Sequence, residues 1–246
     1  MTESPYGPNC PISVDRAIMV QRWDKLTFLH WAYDPEEVQR LLPPGLRVQT
    51  FDQLAWVALV PFAMQVRAAR GGPVPWLSHF CETNVRTYVT APDGTSGVWF
   101  FSLEAARSPA VLAARFGYQL PYYWADMSLD EAGDRIRYRS RRRLPGPRGV
   151  SSDVDIRVGA QIPPDELSPK EHFLTARWRL YSPRRGGTLR WALAEHGPWP
   201  LHRAEVVGLD DQLLAASGLS APVGDPLVHW SPGVEVGIGL PEEAVR

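Results

Sequence analysis

The residues best suited to chemistry alternate along one predicted strand in the first half of the chain. Residues 80–89 read FCETNVRTYV, and because strand side chains alternate with period two, Glu82, Asn84, Arg86 and Tyr88 share one face. A carboxyl group and a guanidinium on one face can transfer a proton and orient an anionic small molecule. The ordinary alternatives are a solvated strand face, or an ion pair of Glu82 with Arg86 or with an arginine of a neighbouring strand.

The elements around this strand favour an enclosed position for the polar row. Residues 91–97, APDGTSG, predict a turn, and the following residues 98–103, VWFFSL, are apolar on both sides. A strand without a polar face needs cover on both faces. We therefore predict that the row from Glu82 to Tyr88 faces a cavity rather than bulk water.

Arginine and tyrosine recur together after this strand pair. Arg115 ends a short predicted helix, and residues 120–123, LPYY, follow it, with Pro121 fixing the backbone. Tyr122 and Tyr123 then point to opposite sides of an extended segment, so only one of them can face a cavity. Packing with a satisfied hydroxyl is the ordinary role for such tyrosines.

A second strand with an arginine-lined and tyrosine-lined side is predicted at residues 173–181, FLTARWRLY. Period-two alternation places Thr175, Arg177, Arg179 and Tyr181 on one face. Arg177 is therefore a second candidate for binding an anion.

The remaining pattern predicts a mainly β protein with a few short helices. A helix starts at Asp34, which is followed by proline and two acidic residues, and it stops at residues 43–45, PPG. A final strand pair is predicted over residues 228–238. About ten short strands favour a closed or nearly closed antiparallel architecture. We expect a single domain over residues 1–246, with residues 1–13 as a loosely held lead-in.

Composition excludes several classes of partner. With 246 residues, a net charge of −1 and 22% charged residues, the chain has no field that would attract nucleic acid or an acidic membrane. The arginine-rich run at residues 137–143 is interpreted as a solvated strand face. No apolar run is long enough to span a membrane, and two cysteines, Cys10 and Cys81, indicate a reducing, cytoplasmic setting.

No familiar cofactor motif is present. The sequence has neither a dinucleotide fingerprint leading from a strand into a helix nor a phosphate-binding loop or nucleophile elbow. His79 and Cys81 share a strand face but lack a third ligand at a recognisable spacing. We expect no cofactor and no metal, and we interpret His196 and Trp199 as residues that hold a Gly/Pro turn against the sheet.

At these residues the sequence resembles the YqjF-like family of unknown function, within the acetoacetate decarboxylase-like superfamily. The resemblance covers nearly the whole chain. It implies a cone-shaped antiparallel β-barrel with a central pocket and with helices packed outside. The segments that carry it are QRWDKLTFLHW, LLPPGLRVQTFDQLAWVALVPFAM, FCETNVRTYV to GVWFFSLEA, LPYY, FLTARWRLY and HGPWPL.

The resemblance to the decarboxylases themselves is more distant and breaks at their nucleophile. It implies that Glu82 is the pocket glutamate and that Arg115 to Pro121 keeps the spacing that leads to a pair of lysines. Tyr122 and Tyr123 stand in place of that pair, and a phenol cannot form an imine with a keto acid. Arg22 lies near the position of the substrate-binding arginine, about two residues out of register.

Two functions from different classes follow. In the first, Glu82 is a general acid or base and Tyr122 or Tyr123 donates to a carbonyl oxygen, while Arg86 or Arg177 orients an anion; the reaction would be that of a lyase, dehydratase or isomerase. In the second, the same pocket is a non-catalytic binding site for an organic acid or a flat apolar molecule. The expected partner is a small molecule, and self-association into a homo-oligomer stays open.

Overall fold

A computed structural model describes residues 7, 9–14, 17, 19–68, 79–107, 119–184 and 188–243. The described part is built almost entirely of strands, which form one continuous sheet. The strands are β1 Met19–Tyr33, β2 Arg47–Val48, β3 Thr50–Phe51, β4 Leu54–Ala68, β5 Phe80–Thr90, β6 Ser96–Ala105, β7 Tyr122–Ala132, β8 Arg135–Leu144, β9 Ser151–Gln161, β10 Arg179–Pro183, β11 Leu189–His196, β12 His202–Asp211, β13 Leu227–Ile238 and β14 Glu242–Glu243. The helices are α1 Pro35–Arg40, α2 Pro169–Thr175 and α3 Leu213–Ala216, with a 3₁₀ turn at Pro164–Glu166.

Nine strands close into a ring. The sheet runs β6-β7-β8-β9-β12-β13-β1-β4-β5, and β5 pairs back onto β6. This confirms the predicted mainly β, closed architecture. The pairing is antiparallel except where β6 meets β7 and β10, both of which lie parallel to it.

A second, smaller ring shares five strands with the first. Strands β13, β1, β4, β5 and β6 belong to both, and β10 and β11 close the smaller ring by pairing with β6 and β13. The shared strands are therefore covered on both faces. That arrangement explains why β6 is apolar on both sides and why nine of the eleven residues of β5 are buried.

Side-chain alternation divides the shared strands between two cores. Residues such as Phe28, Val60 and Phe62 pack in the smaller ring. Their neighbours on the opposite face, such as Leu29 and Leu59, pack against β8 and β9 in the larger ring. Each shared strand thus contributes alternate residues to two separate apolar clusters.

The helix predicted after Asp34 is confirmed as α1. The Asp34 carboxylate accepts a hydrogen bond from the backbone N–H of Glu36 at 2.7 Å, and Pro35 occupies the first turn. No helix in the described ranges is both long and apolar enough to cross a membrane.

The strand predicted at residues 173–181 is wrong. Its first part is helix α2, because Ser168 and Glu171 form a capping box and Pro169 opens the first turn. Strand β10 begins only at Arg179.

Two further predictions need correction. The final strand pair is one continuous strand, β13. The run at residues 137–143 is not wholly solvated: Arg142 is buried on the face of β8 that also carries Ile136 and Tyr138. The short helix predicted before Arg115 and most of the predicted lead-in lie outside the described residues.

Candidate functional site

A cavity of about 200 Å³ lies inside the smaller ring. Its walls come from β1, β4, β5 and β6 and from the start of β7, with Leu180 of β10 and Ile238 of β13. Among the described residues the lining is mostly apolar, with five polar exceptions. Those exceptions are Gln21, Glu82, Asn84, Arg86 and Tyr122.

The cavity runs along β5 from an accessible end to a closed end. At one end Met19, Gln21 and Val66 are half-buried, whereas Arg86 and Phe100 at the other end are buried. Phe80, Glu82, Asn84 and Arg86 all line it. These four residues of one strand face therefore line the cavity at increasing distance from its accessible end.

Glu82 is enclosed and hydrogen-bonded to a phenol. Its side chain is buried, and the Tyr122 hydroxyl donates to Glu82 Oε2 at 3.0 Å. Burial raises the pKa of Glu82 to about 8, and the hydrogen bond from Tyr122 lowers it against that effect. No ion pair involves Glu82 within the described ranges, so the alternative of a Glu82–Arg86 pair is wrong.

Arg86 lies at the closed end of the cavity among aromatic rings. Its guanidinium carbon is 5.4 Å from the centroid of the Phe28 ring. The Arg86 Nε–H and Asn84 Oδ1 are both buried without a hydrogen-bond partner among the described residues. Each is a polar atom that a ligand could satisfy.

Tyr88, on the same face of β5, lies beyond the cavity. Its hydroxyl donates to the carbonyl oxygen of Leu174 at 2.6 Å and lies 2.6 Å from His30 Nε2. Burial raises the pKa of Tyr88, against the effect of Arg86 and Arg177. Tyr88 therefore supports the closed end and does not line it.

The two tyrosines of β7 point in opposite directions. Tyr122 lines the cavity, whereas the ring of Tyr123 lies 3.6 Å from the guanidinium carbon of Arg142, towards the larger ring. Arg142 in turn donates from Nε to Glu104 at 2.9 Å. The sequence left open which tyrosine faces the cavity, and the structure places Tyr122 there.

Two of the candidate arginines, Arg22 and Arg177, are not in the cavity lining. Arg22 points outward on β1 and pairs with Asp24 at 2.6 Å. Arg177 follows α2, where its guanidinium carbon is 4.6 Å from the Phe173 ring centroid. Arg115 lies outside the described residues.

Sequence reasoning did not single out the buried Glu104–Arg142 pair. Both side chains are almost fully buried, at 0% and 1% exposed. The sequence does contain a signal for Arg142. Period-two alternation puts it on the same strand face as Ile136, Tyr138 and Ser140, and that face is buried.

Neither lysine of the chain lines the cavity. Lys25 forms an exposed ion pair with Glu131, and Lys170 pairs with Asp52 at 3.0 Å.

His196 and Trp199 hold their turn as predicted. His196 contacts the carbonyl oxygens of Gly197 and Arg177, and Trp199 Nε1 donates to the carbonyl oxygen of Thr175 at 3.2 Å. Within the described ranges, no three His, Cys, Asp or Glu side chains gather where they could hold a metal ion.

The fold is similar to that of acetoacetate decarboxylase-like proteins of known structure. The biosynthetic enzyme MppR, complexed with the condensation product of pyruvate and imidazole 4-carboxaldehyde, matches with a TM-score of 0.64 and 14% identity, over 96% of this chain and 97% of that one. An acetoacetate decarboxylase-like enzyme from Sphingomonas wittichii RW1 matches with a TM-score of 0.64 and 14% identity, over 96% of each chain. The acetoacetate decarboxylase of Legionella pneumophila matches with a TM-score of 0.63 and 12% identity, over 98% of this chain and 94% of that one. At such identities the similarity establishes the fold alone.

The chain belongs to the DUF2071 family, described as an uncharacterized conserved protein, whose model matches residues 20–235. It is also 34% identical over 238 residues to the uncharacterized protein YqjF of Bacillus subtilis (strain 168), covering 94% of each chain. The predicted resemblance to the YqjF-like family is thereby confirmed, and the solved structures confirm the acetoacetate decarboxylase-like fold that it implied.

Proposed function

We propose that this chain is an enzyme that transfers a proton next to the carbonyl group of a small molecule without forming a Schiff base. The observation that carries the proposal is the pair formed by Glu82 and Tyr122 inside an apolar cavity, with the pKa of Glu82 raised to about 8. A general acid or base works best when its pKa lies near the operating pH.

The chemistry needs only these two groups. The ionised form of Glu82 removes a proton from the carbon next to the carbonyl, the C–H electron pair moves into a new C–C double bond, and the carbonyl oxygen gains negative charge. The Tyr122 hydroxyl donates a hydrogen bond to that oxygen. Return of a proton to the same carbon gives exchange, and return of the proton to a neighbouring carbon gives isomerisation. Loss of a leaving group from the substrate instead gives elimination.

An imine route is not proposed, because neither lysine of the chain lines the cavity. The resemblance to the decarboxylases implies that Tyr122 and Tyr123 replace their lysine pair, and Lys25 and Lys170 form ion pairs elsewhere. The MppR complexes with pyruvate and with a pyruvate condensation product support a carbonyl compound as the kind of ligand this fold accepts.

The alternative is a binding protein without catalysis. It is favoured by the cavity lining, which is apolar around the few polar groups. Both functions predict ligand binding, and only the enzyme predicts bond breaking at the carbon next to the carbonyl.

Hydrogen–deuterium exchange followed by NMR separates the two. Pyruvate, longer oxo acids and aromatic ketones are incubated in D2O with the wild type, and we expect protein-dependent loss of the proton signal next to the carbonyl for at least one compound. Glu82→Gln should abolish this exchange, and Tyr122→Phe should slow it by about 10–100-fold. Tyr123→Phe is the matched control, since its ring lies on the other face of β7.

Thermal shifts with the same compounds complete the test. A compound that stabilises the wild type but shows no exchange would support the binding protein. A stable covalent adduct with acetoacetate after borohydride treatment would contradict the absence of imine chemistry.

A further inference from the structure

Arg86 is a buried cation without a counter-charge. Only 6% of the residue is exposed, and no carboxylate pairs with it in the described ranges of the chain. Its Nε–H has no acceptor, and its guanidinium lies over the Phe28 ring. Burying an unpaired charge is costly, so such a group normally has a partner.

The groups around Arg86 carry no negative charge, and Arg177, which also lies against the Tyr88 ring, is a second cation. The Tyr88 hydroxyl donates to the carbonyl oxygen of Leu174, so it accepts from His30 Nε2, which must carry the ring proton. Burial and the nearby Arg86 hold the pKa of His30 well below its usual value, and burial lowers that of His196. None of these side chains supplies the missing negative charge.

Asn84 provides a second unpartnered group on the same face. It is 4% exposed, it lines the cavity between Glu82 and Arg86, and its Oδ1 has no hydrogen-bond donor. A half-turn of the carboxamide presents its two N–H donors instead. Asn84 and Arg86 together can therefore complete the hydrogen bonds of a carboxylate.

We propose that the closed end of the cavity is an anion subsite that binds the carboxylate of an elongated oxo acid through Arg86 and Asn84, with the carbonyl group of that acid reaching Glu82 and Tyr122. The placement of the carbonyl rests on the proposed function. The anion subsite stands without it.

Strand spacing sets the length of this ligand. Glu82 lies about 7 Å from Asn84 and about 13 Å from Arg86 along β5, measured between Cα atoms. No ion pair joins Glu82 to Arg86, and the guanidinium lies beside Tyr88 and His30. In pyruvate the carboxylate and the carbonyl are adjacent and cannot occupy both places, whereas an oxo acid with several carbon–carbon bonds between them can.

A homologous series of methyl ketone acids tests the length. Isothermal titration of the wild type is carried out with pyruvate, acetoacetate, 4-oxopentanoate and 6-oxoheptanoate. We expect affinity to rise at least about tenfold from pyruvate to the best longer acid, and the methyl ester of that acid to lose the gain. Equal affinity for pyruvate, or for the ester, would overturn the proposal.

Two substitutions test the subsite itself. Arg86→Met removes the unpaired cation, and the nearly isosteric Asn84→Asp supplies its missing counter-charge. Both should raise the melting temperature of the ligand-free protein while lowering affinity for the longer acid at least about tenfold. A residue with a merely structural role would instead lower the melting temperature when replaced.

The control is Arg139→Met, which removes an exposed arginine paired with Asp130, and it should change neither quantity. If Arg86→Met does not fold, Asn84→Asp still decides the matter. Unchanged affinity in the variant that folds would refute the subsite.

The two proposals fail separately. If 6-oxoheptanoate binds through Arg86 but exchanges no protons next to its carbonyl, the proton-transfer function is lost and the subsite stands. If proton exchange of 6-oxoheptanoate requires Glu82, and the KM for this exchange is the same in Arg86→Met as in the wild type, the proton-transfer function stands and the subsite is lost.

Discussion

At the scale of single residues, two glutamates on neighbouring parts of the sheet have opposite surroundings. Glu82 faces the apolar cavity with a phenol as its hydrogen-bond partner, whereas Glu104 faces the larger ring and is paired with Arg142. Burial raises the pKa of both groups, to about 8 for Glu82 and to about 7 for Glu104, but at Glu104 the Arg142 cation opposes that rise by stabilising the ionised form.

This difference makes protein stability depend on pH through Glu82. Folding raises the pKa of Glu82 from its ordinary 4.5 to about 8, so between these values the folded chain binds a proton that the unfolded chain has lost. The free energy of unfolding therefore falls as pH rises across that window, and the loss is complete above it. Glu82→Gln cannot ionise and escapes the loss.

We expect Glu82→Gln and the wild type to be of similar stability at pH 4, below both pKa values, and the variant to be more stable by about 5 kcal/mol at pH 9. Urea denaturation at the two pH values measures the difference. The exposed Glu242→Gln is the control and should show no such divergence. A constant difference between Glu82→Gln and the wild type at all pH values would contradict the raised pKa.

The buried Glu104–Arg142 pair gives a second prediction at this scale. Arg142→Met leaves a carboxylate buried and unpaired, so we expect it to cost about 3–5 kcal/mol of unfolding free energy. The double substitution Glu104→Leu with Arg142→Met removes both charges and should recover most of that loss. Denaturant titrations of the single and double variants measure this, and equal losses in both would show that the pair is not the cause.

At the scale of elements, local signals predicted most of the strands and helix α1. The Asp34 cap and Pro35 act within one turn, and the alternation in β5 is a property of the strand itself. The segment at 173–181 was misread because its alternation resembles a strand, whereas the capping box that starts α2 lies upstream at Ser168. The capping box, which lies before the alternating segment, determined that the segment begins as a helix.

The site was only partly predictable for a related reason. Period-two alternation puts Glu82, Asn84 and Arg86 together, but which tyrosine joins them depends on how β7 registers against β6, with Leu103 opposite Tyr122. Pairing between distant segments has no local sequence signal.

Strand β10 closes the smaller ring through a contact that only glycine allows. A Cβ atom on Gly97 of β6 would lie 2.6 Å from the Arg179 carbonyl oxygen and 2.6 Å from the Tyr181 ring. We expect Gly97→Ala to lower the unfolding free energy by about 1–3 kcal/mol by pushing β10 away. Gly197→Ala, whose Cβ meets nothing within 4 Å, is the control, and equal stability of the two variants in urea would contradict this packing.

At the scale of the whole molecule, the two rings share β13, β1, β4, β5 and β6. Neither ring can lose these strands while the other keeps its core, so we expect one cooperative unfolding transition. Tryptophan fluorescence and far-ultraviolet circular dichroism should give coincident denaturation curves. Two separated steps would show that the rings unfold as independent units and would also contradict the single domain predicted over residues 1–246.

Along the shared strands, residues that face the cavity alternate with residues that pack in the other core. On β5, Glu82, Asn84 and Arg86 meet the cavity, while Thr83 and Val85 between them point to the other core. Evolution can thus rewrite what the protein recognises by changing every second position and leave the supporting framework intact. An insertion of one amino acid within β5 would exchange the two sets and destroy both at once.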